Sequence, residues 1–179
     1  NSGINITGGT FNLQSGGQIT GSGNVNVGSG GLLNASGTVG TSGINVHVLS
    51  GGTLMGGHYD AGTSTLITGV INGTVTVDQG GTLAVGNSVG DVSMSNLSLT
   101  HGSVLNFEFR NATGATPGQD WDHIDLGNTG VLNLGDANAA NKITINIDSW
   151  MLDNLMHGGA VSDGANYNNF NPQSTYDWL

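Results

Sequence analysis

The nine-residue unit Val75-Thr-Val-Asp-Gln-Gly-Gly-Thr-Leu83 returns along the chain as Phe11–Ile19, Val25–Leu33, Val46–Leu54, Leu97–Leu105 and Ile124–Leu132. Each copy reads apolar-polar-apolar, then a corner rich in glycine, then the start of a second apolar strand. Alternation with a period of two puts every second side chain on one face of a strand. The corner residues can take the positive φ that a sharp change of direction needs. Strands this short bury too little surface alone, so copies must stack and share one inner face. The copies begin 14, 21, 29, 22 and 27 residues apart, a variation that loops absorb.

These features predict an all-β fold, a right-handed parallel β-helix (a solenoid) with repeat coils over residues 1–110. Val25, Val27, Val46, Val48, Val75 and Val77 are expected inside, with Asn26, His47 and Thr76 outside. At a strand spacing of about 4.8 Å, some five coils make a segment roughly 25 Å long. An antiparallel sandwich requires hairpin signals, and Asn72-Gly73 is the only Asn-Gly pair.

Residues 111–179 read as a continuing but more irregular set of coils with loop insertions. Asn106-Phe-Glu-Phe-Arg110 is a longer alternating strand, and the Gly- and Pro-marked stretch 111–119 is a loop. Strands follow at 124–126, 131–134 and 143–147, with Ile143, Ile145 and Ile147 expected on one inward face. One short helix is expected at 148–157, where Leu152, Leu155 and Met156 share a side and Gly158 stands as a stop.

Composition narrows the function. Two basic residues stand against twelve acidic ones, a formal charge of −10, which removes the positive footprint that nucleic-acid binding requires. No apolar run reaches the length of a membrane helix, so no membrane insertion is expected in these residues. The chain has no cysteine, and so neither disulfides nor thiolate metal sites. The acidic, Asn- and Thr-rich composition points to an extracellular or cell-surface location. The pattern runs to both ends, which reads as a segment of a longer array.

The run Gly80-Gly-Thr-Leu-Ala-Val-Gly-Asn-Ser-Val-Gly90, followed by Leu97–Leu99, Gly102–Phe109 and Asp120-Trp-Asp-His-Ile-Asp-Leu126, resembles the autotransporter-associated β-strand repeat family. Val89 stands where that family commonly has proline. The resemblance covers residues 75–147 well and the earlier repeats loosely. It implies a parallel β-helical stalk, export across a bacterial cell envelope, and a structural or adhesive role at the surface.

Catalytic chemistry is thinly supplied. Glu108 is the sole glutamate, expected on the exposed face of its strand or as the partner of Arg110. His47, His58, His101, His123 and His157 are dispersed, with no zinc-ligand spacing. The serines lie in glycine-rich turns without a nucleophile elbow. No enzyme is therefore expected and no cofactor is required. Calcium is the one metal considered, on Asp120, Asp122 and Asp125. Trp121, Trp150 and Tyr167 belong to an aromatic-rich stretch that can stack on sugar rings. The leading expectation is a structural stalk or passenger segment that associates with itself or with neighbouring repeats, with filaments as one form of that association. The alternative is an adhesin binding glycans through residues 120–179.

Overall fold

The computed structural model describes residues 3–21, 23–150 and 157–160. Among these residues the protein is all-β with no helix, and its strands form a curled, mainly parallel sheet. The strands are β1 (Ile4–Leu13), β2 (Gln18–Ile19), β3 (Val25–Ala35), β4 (Thr38–Val48), β5 (Thr53–Met55), β6 (His58–Asp60) and β7 (Thr65–Val77). They continue as β8 (Thr82–Ala84), β9 (Asp91–Leu99), β10 (Val104–Phe109), β11 (His123–Asp125), β12 (Leu132–Asn133), β13 (Thr144–Trp150) and β14 (His157–Ala160).

Parallel pairing between successive passes builds three ladders. In the first, Ile4, Val25, Val46, Val75, Leu97 and Leu132 are in register on β1, β3, β4, β7, β9 and β12. In the second, Phe11, Leu33, Leu54, Leu83, Leu105 and Ile145 align on β1, β3, β5, β8, β10 and β13. The third aligns Ile19, Val39, Ile71 and Met94 on β2, β4, β7 and β9, and β11 joins β9 there with Ile124 opposite Val92. Long strands such as β3 serve two ladders, bending between them at Ser29 and Gly30, both of positive φ.

The first two ladders meet at a repeated corner. The Gly52 N–H donates to the Leu49 carbonyl at 2.9 Å, Gly81 to Asp78 at 2.8 Å, and Ser103 to Thr100 at 3.1 Å. Gly51, Gly80 and Gly102 precede these donors at φ of 74°, 76° and 73°, the third position of a type II turn. The corners also bond along the stack: Gly30 N–H to Gly51, Gly51 to Gly80, Gly80 to Gly102 and Gly102 to Lys142, at 2.7–2.9 Å. This column satisfies backbone groups that a turn would otherwise leave to water.

The core is the shared interior of the ladders. All six valines expected inside are fully buried, as are Leu33, Leu54 and Leu83. Asn26, His47 and Thr76 are half-buried on the other face. Along the second ladder, exposure runs from Phe11 at 41% through 0% for Leu33, Leu54 and Leu83 to 9% for Leu105 and 58% for Ile145. Interior passes are covered on both sides, whereas the first rung and the part of β13 that holds Ile145 and Ile147 are covered on one.

Three expectations are corrected. Ile145 and Ile147 keep the register of Leu105 and Phe107 but are exposed, because no further rung lies over them among the described residues. Residues 148–150, expected in a helix, continue β13: Asp148 and Ser149 pair with Glu108 and Phe109, and cross-strand pairing prevails over local helical spacing. Residues 151–156 lie outside the described residues. The copies starting at Phe11 and Ile124 are displaced, since Ile4 and Leu132 occupy the positions that Val25 begins.

One arm departs from the ladders. β6 and the start of β7 form an antiparallel hairpin, with His58 opposite Ile67 and Asp60 opposite Thr65. Asp60 closes its turn by accepting from Gly62 N–H at 2.9 Å and from the Thr63 hydroxyl at 2.8 Å. The Thr63 hydroxyl first, then Gly62, holds this carboxyl below its ordinary pKa.

Candidate functional site

Residues 108–123 gather the chemistry-bearing side chains, because the loop after β10 folds back beside the ladders instead of starting a new strand. Phe109, Ala112 and Trp121 form a second small core with Phe107 against it. Trp121 is only 5% exposed and its Nε1 lies buried without a hydrogen-bond partner among the described residues. Its ring fills this core and is not presented as a platform for a sugar.

Arg110 fastens the loop to the hairpin arm. Its guanidinium lies over the Tyr59 ring, 4.6 Å from the centroid, donates from Nε to the Gln119 carbonyl, and approaches Asp120 at 3.7 Å. Gln119 Nε2 donates to the Tyr59 hydroxyl at 2.9 Å. Asp120 accepts from the Ala115 and Thr116 N–H groups, each at 3.0 Å. The sequence offered no signal for Tyr59 or Gln119, whose roles arise from contacts across 60 residues.

Asp122 is buried, and its two oxygens accept from Gly90 N–H at 2.8 Å and Glu108 N–H at 2.7 Å. Burial first, then the charge of Glu108, pushes its carboxyl well above the ordinary range, against the pull of the two N–H donors. Glu108 is half-buried, with Oε2 shut away from solvent. Asp125 is exposed and accepts from Gly127 N–H at 2.7 Å.

The three carboxylates considered for calcium are thus engaged separately: Asp120 on its own loop and Arg110, Asp122 on two buried amides, Asp125 on a surface turn. Among the described residues, no group of three or more His, Asp or Glu side chains is placed to hold a metal ion. Trp150 ends β13, opposite His157 of β14. Tyr167 lies outside the described residues.

A polar column was not foreseen. Thr68, Asp91 and His123 sit in register on three adjacent strands of the third ladder. The Thr68 hydroxyl donates to Asp91 at 2.6 Å, and the other Asp91 oxygen lies 2.8 Å from His123 Nδ1. Asp91 is buried and His123 is about one-third exposed. This arrangement fixes the imidazole with Nδ1 toward the carboxylate, the orienting half of a general base. A second pair, His101 Nδ1 and Asp136 at 2.6 Å, is exposed and ties a loop to the corner column.

No protein-family model, curated protein or solved structure matches the chain.

Proposed function

We propose that the chain is a non-enzymatic structural module, a right-handed parallel β-helix that serves as a stalk or passenger segment of an exported bacterial surface protein and stacks end to end with copies of itself or with neighbouring repeats. The observation that carries this reading is the match between the two ends of the stack. Leu132 and Asn133 hold the register positions of Ile4 and Asn5, and Ile145 and Asn146 hold those of Phe11 and Asn12.

A second copy set down in the same register would cover the exposed Phe11, Leu132, Ile145 and Ile147. Full burial is worth about 1.5–3 kcal/mol for each such side chain. The open edges of β1, of β12 and of β13 before Asp148, where pairing with β14 begins, offer backbone donors and acceptors for the same contact. The amides already pair this way inside the molecule: Asn26 Nδ2 donates to Asn5 at 2.8 Å, and Asn146 Nδ2 to Asn106 at 3.0 Å. The location rests on the acidic, Asn- and Thr-rich composition and on the resemblance to autotransporter-associated repeats.

Sedimentation velocity and negative-stain electron microscopy test the proposal. The intact chain should grow into rods longer than one molecule as concentration rises. Salt should promote the growth by screening repulsion between chains of charge −10. Ile145→Asp, at an exposed position, should leave the monomer folded and return it to single particles. A chain that stays monomeric at high concentration and high salt contradicts the proposal.

A further inference from the structure

The hairpin arm leans over the corner of the first two passes and leaves a cleft of about 400 Å³ beneath it. Asn12 and Gln14 supply one wall and Asn34 and Ser36 the next, while His58 and Ile67 of the arm close it over Leu13. We propose that this cleft binds a short neutral saccharide. The site is separate from Trp121; it shares Asn12 and Leu13 with the first rung of the stack, so binding is measured at dilution, where the chain is a single particle.

Three observations favour that ligand class. First, among the described residues no Asp, Glu, Lys or Arg lines the cleft, in a chain whose other polar clusters are built on carboxylates. A charged ligand would find no counter-charge there. Second, the lining groups are amides, hydroxyls and an imidazole, which can each both donate and accept, as a ring bearing hydroxyls requires. The Ser36 hydroxyl donates to Asn34 Oδ1 at 3.0 Å and so orients that amide, leaving Nδ2 to donate outward. Among the described residues, the side chains of Asn12, Gln14 and His58 make no hydrogen bond that would compete with a ligand. Third, Leu13 and Ile67 give the cleft an apolar surface for the C–H face of a pyranose. The volume falls within the range of about 300–1,000 Å³ typical of small-molecule sites.

The cleft exists because the arm is held there. Tyr59, next to His58, is anchored by Gln119 and Arg110 on the far side, and its N–H donates to Val89 at 2.9 Å. At the base of the arm, a side chain on Gly57 would sit 1.7 Å from the Ile67 carbonyl oxygen, so the two strands meet backbone to backbone. The wall is therefore preformed, which lowers the ordering cost of binding.

The test uses the intact chain labelled with ¹⁵N and titrated with N-acetylglucosamine, galactose and maltose, with galacturonate as a charged comparison. The expected result is a saturable shift of the side-chain amides of Asn12, Gln14 and Asn34 with at least one neutral sugar and weaker binding of galacturonate. Asn34→Ala should weaken binding about tenfold, the equivalent of roughly one hydrogen bond. Gln14→Ala, on an exposed turn, gives a second variant that leaves the core untouched. Saturation of none of the three sugars, shifts confined to residues outside the cleft, or unchanged affinity in both variants would overturn the proposal.

Discussion

Gly52→Ala is expected to cost about 3 kcal/mol of folding stability, whereas Gly51→Ala, one residue earlier, should cost about 1–2 kcal/mol. The two glycines are needed for different reasons. A Cβ on Gly52 would lie 2.1 Å from the Val27 carbonyl oxygen and 2.5 Å from its carbon, both backbone atoms of the adjacent pass. Relief requires the ladders to separate, because no flexible side chain can move aside. Gly51 has open space, with its nearest atom at 3.5 Å, and alanine there meets only the strain of φ 74°.

The same distinction repeats along the stack. A Cβ on Gly31 would lie 2.2 Å from the Ile6 oxygen, and one on Gly81 would lie 2.3 Å from Val48. The fifth and sixth passes depart, with Ser103 and Ile143 in the equivalent place; Ser103 is fully buried and its hydroxyl has no partner among the described residues. Urea denaturation of both variants measures the difference. Equal losses at Gly51 and Gly52 would contradict the close stacking of passes.

The second large effect is expected at Asp122. Asp122→Ala leaves the Gly90 and Glu108 N–H groups without their acceptor, at about 1–3 kcal/mol each, or roughly 2–6 kcal/mol together. The carboxyl also gives a signature in pH. Its folded pKa is raised above its unfolded value of about 3.9, so the folded state holds the proton more tightly. The stability it contributes is complete below about pH 3.9 and is lost as pH rises through the folded pKa.

Asp60 and Asp136 act in the opposite sense: their pKa values are lowered in the fold, so what they contribute is present above the unfolded value and lost on acidification. Both lie at surface turns, and the Asp122 contribution is isolated by difference. The stability of the wild-type chain relative to Asp122→Asn should decline as pH rises from acid toward neutral. Thermal melts across that range measure it, and a difference independent of pH would contradict a buried carboxyl with a raised pKa.

Much of the ladder register was legible in the sequence. Val25, Val46, Val75 and Leu97, aligned by the repeat, are aligned in space, and the residues eight positions later, Leu33, Leu54, Leu83 and Leu105, follow them. The pattern misled at both ends for a physical reason. All three ladders use alternating apolar residues followed by glycine, so the motif does not say which ladder a copy belongs to.

Ile124-Asp-Leu-Gly satisfies the pattern but pairs on the third ladder, and the next pass begins at Leu132. At the other end, a register shift between Thr7 and Gly9 shortens the first corner and moves Phe11 to the position of Leu33. Burial was legible only where neighbours lie on both sides: Ile145 carries the right periodicity and still stands exposed.

The candidate site was less legible, because its partners come from distant segments. Nothing local to Asp122 announces that Gly90 and Glu108 will turn their N–H groups onto it. The position of Asp91 beside Thr68 and His123 follows from register alone. Trp121 invited a ligand role through its chemistry, and its place in the small core with Phe109 and Ala112 withdraws the ring from solvent.

The most direct test of end-to-end stacking exploits the absence of native cysteine. Asn5 and Asn133 occupy one register column at opposite ends of the first ladder. Across a stacked junction their Cα atoms would be about 4.8 Å apart, within the range a disulfide spans. A chain carrying both Asn5→Cys and Asn133→Cys, oxidised at high concentration and run without reductant, should give a ladder of covalent dimers, trimers and longer species. Each single-cysteine chain should stop at dimers. A doubly substituted chain that remains monomeric, or that gives no more than its single-cysteine controls, would contradict head-to-tail stacking in register.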